Sequence, residues 1–268
     1  MTPTAPLPKL PSWLAPRRGG APEDAPFRTG ALLAILDILV HHPDVPQGLL
    51  RDRLALQSAE TAMIALGRPE RAAQLRDEVH LARPGDTLGP GGTVFASFRT
   101  WARTPITAGP SGISPLGAAI TALAGSDPAD LPAATMAADS ALAAALRWPH
   151  PLPLLSTSLR RADPDGAALH QALMNAGRQA LILATDLTRR ASHLASIAPK
   201  LRAKPSAQAL WLFLTEDALS PTIALSPQIR HTATPMTDRA ARRLCDRLCT
   251  LGAIRELTGR SAFRLYGL

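Results

Sequence analysis

The chain has 268 residues, enough for one medium domain or two small ones, and carries a net charge of +8. Apolar residues make up 46% and aromatic residues only 4%, so the apolar content is mainly Ala and Leu, which favours helices and excludes an all-β sandwich. Two cysteines exclude a disulfide scaffold, and no apolar run could span a bilayer or form a signal peptide. We therefore expect a cytoplasmic protein with no membrane association, the nucleoid being a location compatible with this.

The first 26 residues contain seven prolines and are expected to form an extended tail, pinned to the body by Trp13 and Leu14. Beyond the tail, apolar residues recur at helical spacing. This pattern predicts helices over 28–41, 49–66, 69–81, 93–103, 116–124, 133–146, 167–183, 187–201, 207–219 and 238–251. The Gly/Pro loop over 83–92 lacks the Gly-Lys-Ser/Thr of a phosphate-binding loop.

The Pro-spaced turn over 148–153 is the natural boundary between two halves of the chain. The predicted organisation is a tail over 1–26, a helical domain over 27–150, a helical segment over 151–204 that packs on it, and a winged-helix domain over 205–268. The predicted fold class is therefore mainly α, with one small β-hairpin. In the turn itself, Trp148 is expected to be buried at the junction, the alternative being an exposed recognition surface formed with Arg147.

The last forty residues show the most informative pattern. Thr237 is a good N-cap for the helix over 238–251, which has apolar residues on one face and arginines on the others, and Gly252 ends it. Two β-like runs follow, over 253–257 and 262–266, joined by a turn that contains Gly259. Between 228 and 268 there are eight arginines and three acidic residues, a local net charge of +5, which is typical of proteins with a polyanionic partner.

This segment resembles the third helix and wing of winged-helix modules, through Leu251-Gly252, Ile254 and Thr258-Gly259-Arg260. The helix over 207–219 corresponds to the first helix. The resemblance implies that the start of the third helix enters the major groove of double-stranded DNA and that the wing contacts phosphates. The implied groove residues are Thr237, Arg239, Arg242 and Arg243, and the implied phosphate contacts are Arg260 and Arg264.

Three alternatives remain open for the basic segment. It could grip another protein, as in an adaptor subunit of a DNA-maintenance complex with the kleisin-like layout of helical front and winged-helix end. It could be purely structural, or its arginines could form an ordinary solvated surface.

Over most of its length beyond the tail, the chain also resembles DUF1403, a bacterial family of unknown function found mainly in α-proteobacteria. The resemblance lies in Gly67-Arg68, Pro84-Gly85-Asp86, Leu146-Arg147-Trp148-Pro149, Asp238 to Leu244, and the terminal Phe263 to Leu268. It implies no activity.

No set of residues with catalytic or metal-binding spacing is found. Cys245 and Cys249 lack a second ligand pair for zinc and are expected to be packed thiols. The histidines at 41 and 42 are expected at a solvated helix end. Glu216 and Asp217 are adjacent at the end of an apolar helix and do not face each other as an acid/base pair would. We therefore expect a non-enzymatic protein without metal or cofactor, the alternative being an enzyme with an unrecognised site.

Overall fold

The computed structural model describes residues 6–14, 24–107, 112–161, 165–201 and 205–268. The fold is mainly α, as predicted. Its helices are α1 (Asp24–Val40), α2 (Gln47–Ala65), α3 (Ala72–His80), α4 (Pro90–Arg103), α5 (Pro115–Ala124), α6 (Leu131–Ala145), α7 (Leu155–Ser158), α8 (Gly166–Ile197), α9 (Ser206–Thr215) and α10 (Asp238–Thr250). None of the helices in the described ranges combines the length and apolar character needed to cross a bilayer.

Most helices lie within a few residues of their predicted bounds, and two differ. The helices predicted over 167–183 and 187–201 form the single α8 of 32 residues, so that prediction is wrong. Residues 183–188 contain neither Pro nor Gly, and nothing there interrupts the hydrogen-bond ladder. The helix predicted over 207–219 ends at Thr215, and Glu216 is extended (φ −116°, ψ 140°).

One large apolar core runs through the molecule. It joins α1, α8, α9 and α10, and includes Leu14, Trp148 and Leu268. A smaller cluster lies between α2, α3 and α4, around Met63, Phe95 and Phe98. Because α2 contacts both clusters, nearly its whole circumference is buried.

The described part of the predicted tail packs against this core. Leu14 is fully buried, and the ring of Trp13 stacks on Phe27 at 5.5 Å between centroids. Residues 1–5 and 15–23 of that prediction lie outside the described residues. The turn after α6 buries Trp148, whose indole Nε1 donates to Asp37 Oδ1 at 3.0 Å. The prediction that Trp148 is buried is confirmed.

The β structure is smaller than predicted. Strand β1 (Arg255–Glu256) pairs antiparallel with β2 (Tyr266–Gly267), with Arg255 opposite Gly267. Leu219, after α9, adds an antiparallel bridge to Tyr266 through two backbone hydrogen bonds of 2.8 and 2.9 Å. The predicted runs over 253–257 and 262–266 are longer than the observed strands. Between the strands, Gly259 and Phe263 take positive φ values that no strand allows, and the side-chain pattern does not reveal this.

Candidate nucleic-acid interface

The basic helix α10 is capped at both ends as its sequence predicts. Thr237 Oγ1 accepts a hydrogen bond from Ala240 N at 3.3 Å. At the other end Gly252 has φ +67°, and the amide of Ala253 returns to the carbonyl of Leu248 at 2.9 Å. This is the Schellman arrangement that glycine permits, because it has no Cβ to clash in the left-handed region.

The apolar stripe of α10 decides which of its side chains face solvent. Ala241, Leu244, Cys245 and Leu248 are buried against the short helical segment Pro221–Leu225 and β1. Their i, i+3, i+4, i+7 spacing turns the opposite face outward. That face carries four exposed arginines: Arg239, Arg242, Arg243 and Arg247.

These four arginines differ in their partners. Arg242 Nη2 pairs with Asp238 Oδ2 at 2.9 Å, one turn back on the same helix. Arg247 Nη2 donates to the carbonyl of Lys200 at 3.3 Å. Arg239 and Arg243 make neither an ion pair nor a hydrogen bond with the described residues. Their charges are therefore available to an external anion.

The two predicted wing arginines are held by the protein itself. Arg260 Nη2 pairs with Asp77 Oδ2 of α3 at 2.6 Å. Arg264 Nε donates to the carbonyl of Arg260 at 2.9 Å, and a hydrogen bond with the Tyr266 hydroxyl raises the pKa of Arg264. Arg264 remains exposed, while Arg260 already contacts a carboxylate of the front half.

Beside the arginines of α10 lies a groove of about 550 Å³. Apolar side chains such as Leu201, Met236 and Leu244 line it, and Arg239, Arg243 and Arg247 stand among its lining residues. Thr237 also lines this groove. Four of the six predicted site residues, Thr237 and the arginines at 239, 242 and 243, thus share one stretch of α10.

A buried network of ions, which the sequence patterns did not predict, joins this C-terminal region to the front helices. Asp217 is fully buried and pairs with Arg53 Nε of α2 and Arg76 Nε of α3, each at 2.6 Å. Arg53 Nη2 also donates to the carbonyls of Asp217 and Leu268, at 3.2 and 3.1 Å. Burial acts to raise the pKa of Asp217, but Arg53 and Arg76 outweigh it and hold that pKa below its ordinary value.

A second half of the network surrounds Asp52 and Glu216. The buried carboxylate of Asp52 accepts from Arg99 Nε at 2.9 Å and from Arg103 Nε at 2.7 Å. Glu216 contacts Arg99 and lies 4.0 Å from Arg230 Nη1. Glu216 contacts Arg99, whereas Asp217 pairs with Arg53 and Arg76, so the two adjacent carboxylates face different groups of arginines.

Burial shifts the pKa of three further side chains in this part of the molecule, one on α3 and two on α10. Burial lowers the pKa of His80, beside Asp217, to about 3 and keeps the ring neutral. Burial also raises the pKa of the Cys245 and Cys249 thiols, which are both free. Within the described ranges, no group of three or more His, Cys, Asp or Glu residues is arranged to hold a metal ion.

Comparison with known proteins identifies a family. The chain matches a family described as "Protein of unknown function (DUF1403)" over residues 1–126 and 116–268, which together cover its full length. The resemblance to DUF1403 that the sequence motifs indicated is confirmed. No curated protein and no solved structure matches the chain.

Proposed function

From the premise that the chain belongs to the DUF1403 family of proteins of unknown function, we propose that it is a non-enzymatic cytoplasmic protein that binds double-stranded DNA through α10. The proposal is carried by one observation: α10 exposes four arginines, and two of them, Arg239 and Arg243, are unpaired among the described residues.

The order of elements along the chain supports the interpretation of the C-terminal region as a winged helix. α9 is followed by the bridge at Leu219, the short helical segment Pro221–Leu225, α10, and the hairpin of β1 and β2. In winged-helix proteins the helix that precedes the hairpin is the one that enters the major groove. Here that helix is α10, and its arginines occupy the side away from the core.

Electrostatics supports the same surface. An exposed arginine without a carboxylate partner loses little when it binds a phosphate, because no existing ion pair must break. Arg239 and Arg243 meet this condition. Arg260 does not, since it is paired with Asp77, and we place it outside the initial contact.

The test is a salt series of duplex binding, measured by fluorescence anisotropy on the full chain. Each phosphate contact contributes about −0.9 to the slope of log K against log salt. The double variant Arg239→Gln/Arg243→Gln is expected to reduce the magnitude of that slope by about 2 and to weaken binding at every salt concentration.

The matched control is Arg160→Gln/Arg189→Gln. It removes the same charge from two exposed arginines on other elements and is expected to leave the slope unchanged. Absence of duplex binding at low salt, or an equal effect of the two double variants, would refute the proposal.

A second candidate function is a protein-binding adaptor, and the groove beside α10 favours it. Its apolar lining and basic rim fit an amphipathic segment with acidic flanks better than a duplex. Ala240 is exposed within the groove, so Ala240→Tyr fills it without removing an arginine. An adaptor loses its partner on Ala240→Tyr and binds little DNA at physiological salt. A DNA-binding protein keeps the salt-dependent affinity of its arginines in that variant.

A further inference from the structure

On the opposite side of α10 from the groove, a cleft of about 570 Å³ opens between the helix and the loop that joins β1 to β2, which we call the wing loop. Its walls come from four separate parts of the chain, one of which is the segment from Ser220 to Thr222. Arg83 precedes α4, Arg242 and Asp246 lie on α10, and Phe263, Arg264 and Tyr266 belong to the wing. The volume falls within the range of pockets that hold one small ligand.

The cleft is positively charged. Three arginines and one carboxylate line it, which gives a net charge of +2 from these side chains. Arg264 is held in place by the Arg260 carbonyl, to which its Nε donates at 2.9 Å. The Ser220 and Thr222 hydroxyls, 3.1 Å apart, add further polar groups to the wall. Arg242 pairs with Asp238 through Nε and Nη2, and its Nη1 has no partner among the described residues. Guanidinium groups from several parts of the chain, with hydroxyls on the same walls, are suited to a phosphate group.

Phe263 adds an aromatic face to the same cleft. Its side chain is 72% exposed, the largest exposure among the large apolar residues described. Its backbone has φ +53°, a conformation that is strained for a bulky residue. Such strain persists where surrounding structure holds it, often at ligand sites. The ring makes no contact with another aromatic ring among the described residues, so its exposed part is available to a planar ligand.

We propose that this cleft binds a free nucleoside phosphate, with the phosphate on Arg83, Arg242 and Arg264 and the base stacked on Phe263. The arginines alone would suit any phosphate, and the exposed ring adds the preference for a base. The proposal goes beyond the proposed DNA binding, because Arg83 and Phe263 lie outside the predicted duplex contacts. Arg242 and Arg264 belong to both sites, so a bound nucleotide competes with DNA.

The test is calorimetry on the full chain with four probes: AMP, adenosine, inorganic phosphate and a short single-stranded oligonucleotide. We expect AMP to bind more tightly than adenosine or phosphate, because only AMP engages both the arginines and the ring. Phe263→Ala is expected to weaken AMP by about 5- to 150-fold, the range for loss of one stacked base. It should leave the weaker binding of phosphate unchanged.

Two controls match the variants in chemistry. Phe27→Ala removes another strongly exposed phenylalanine, and Arg160→Gln removes another exposed arginine. Neither is expected to change AMP affinity, whereas Arg83→Gln is expected to weaken both AMP and phosphate.

Three outcomes would overturn the assignment. AMP could fail to bind at millimolar concentration, Phe263→Ala could leave AMP affinity unchanged, or the oligonucleotide could depend on Phe263 while AMP does not bind. The last outcome would assign the cleft to a nucleic-acid strand. None of the four probes is a duplex, so the outcome of this experiment does not depend on whether α10 binds double-stranded DNA.

Discussion

Replacing Asp217 by Asn tests whether the buried ion network holds the C-terminal region on the front helices. The substitution keeps the shape of the side chain and removes its charge. Two guanidinium groups, from Arg53 and Arg76, then face an amide whose oxygen can accept from only one of them. The amide's own NH₂ group is directed at the other, which leaves a buried guanidinium group without a carboxylate to balance its charge.

The expected loss follows from this geometry. Asp217 is fully buried, and both arginines lie 2.6 Å from it with side chains only 10% and 13% exposed. Removing one partner from a buried ion pair costs about 3–5 kcal/mol. At about 2–4 °C of Tm per kcal/mol for a domain of this size, the variant should melt roughly 6–20 °C below the parent. Urea denaturation at pH 7, with calorimetric melting, measures both quantities.

Asp186→Asn is the matched control. Asp186 also pairs with two arginines at 2.6 Å, Arg189 and Arg190, but its side chain is 38% exposed. Exposed pairs contribute about 0–1 kcal/mol, so this variant should differ little from the parent. If Asp217→Asn costs no more than Asp186→Asn, burial does not set the strength of these pairs and the reasoning is wrong.

The pH dependence of the same variant supplies a second check. The folded pKa of Asp217 is depressed, so its stabilisation is fully present above the unfolded pKa of about 3.9 and is lost as pH falls through the folded value. The difference between parent and Asp217→Asn should therefore stay constant from pH 7 to about 5 and shrink in stronger acid.

Two further predictions concern the same region. His80, with its pKa lowered to about 3 by burial, should show no NMR titration between pH 8 and 5; a ring that titrates near 6.5 would contradict its burial. Because its folded pKa is depressed, the stability it contributes is present above about pH 6.5 and is lost as pH falls towards 3, so His80→Gln should flatten the acid side of the stability profile. Gly267→Ala should destabilise the fold by about 1–3 kcal/mol in urea, because a Cβ there would lie 2.8 Å from the backbone oxygen of Asp217. Gly30→Ala, in open space on α1, should instead be neutral or stabilising by up to about 1 kcal/mol, and equal effects would contradict the steric argument.

Local patterns were sufficient to predict the helices and the caps of α10. The apolar spacing, Thr237 and Gly252 act through contacts a few residues apart, so periodicity and capping preferences reveal them. The error at α8 has a local cause as well, since a break was placed where no residue interrupts a helix. The exposed arginines of α10 follow from the same periodicity, because the apolar stripe fixes which face is buried.

The ion network could not be predicted in this way. Asp217 lies 164 residues from Arg53 and 141 from Arg76, and no spacing rule links such positions. A partial signal did exist: the three charged residues Arg51, Asp52 and Arg53 interrupt an α2 sequence that has Leu49-Leu50 before them and Leu54-Ala55-Leu56 after them. Charged residues on a helix buried all round require partners from elsewhere, but the sequence does not say which ones.

The ion pair between Arg260 and Asp77 leads to a last prediction, which rests on the proposed DNA binding. This pair ties the loop between β1 and β2 to α3 at 2.6 Å, so Arg260 must break its contact with Asp77 before it can bind a phosphate. Asp77→Asn frees the guanidinium and should tighten duplex binding, with a salt slope steeper by about 0.9. Asp186→Asn changes the net charge equally and should not steepen the slope. Adding Arg260→Gln to Asp77→Asn should abolish the gain, whereas Arg260→Gln alone should change DNA affinity little. A large loss from Arg260→Gln alone would mean that the wing already contacts DNA and that the ion pair with Asp77 does not restrain it.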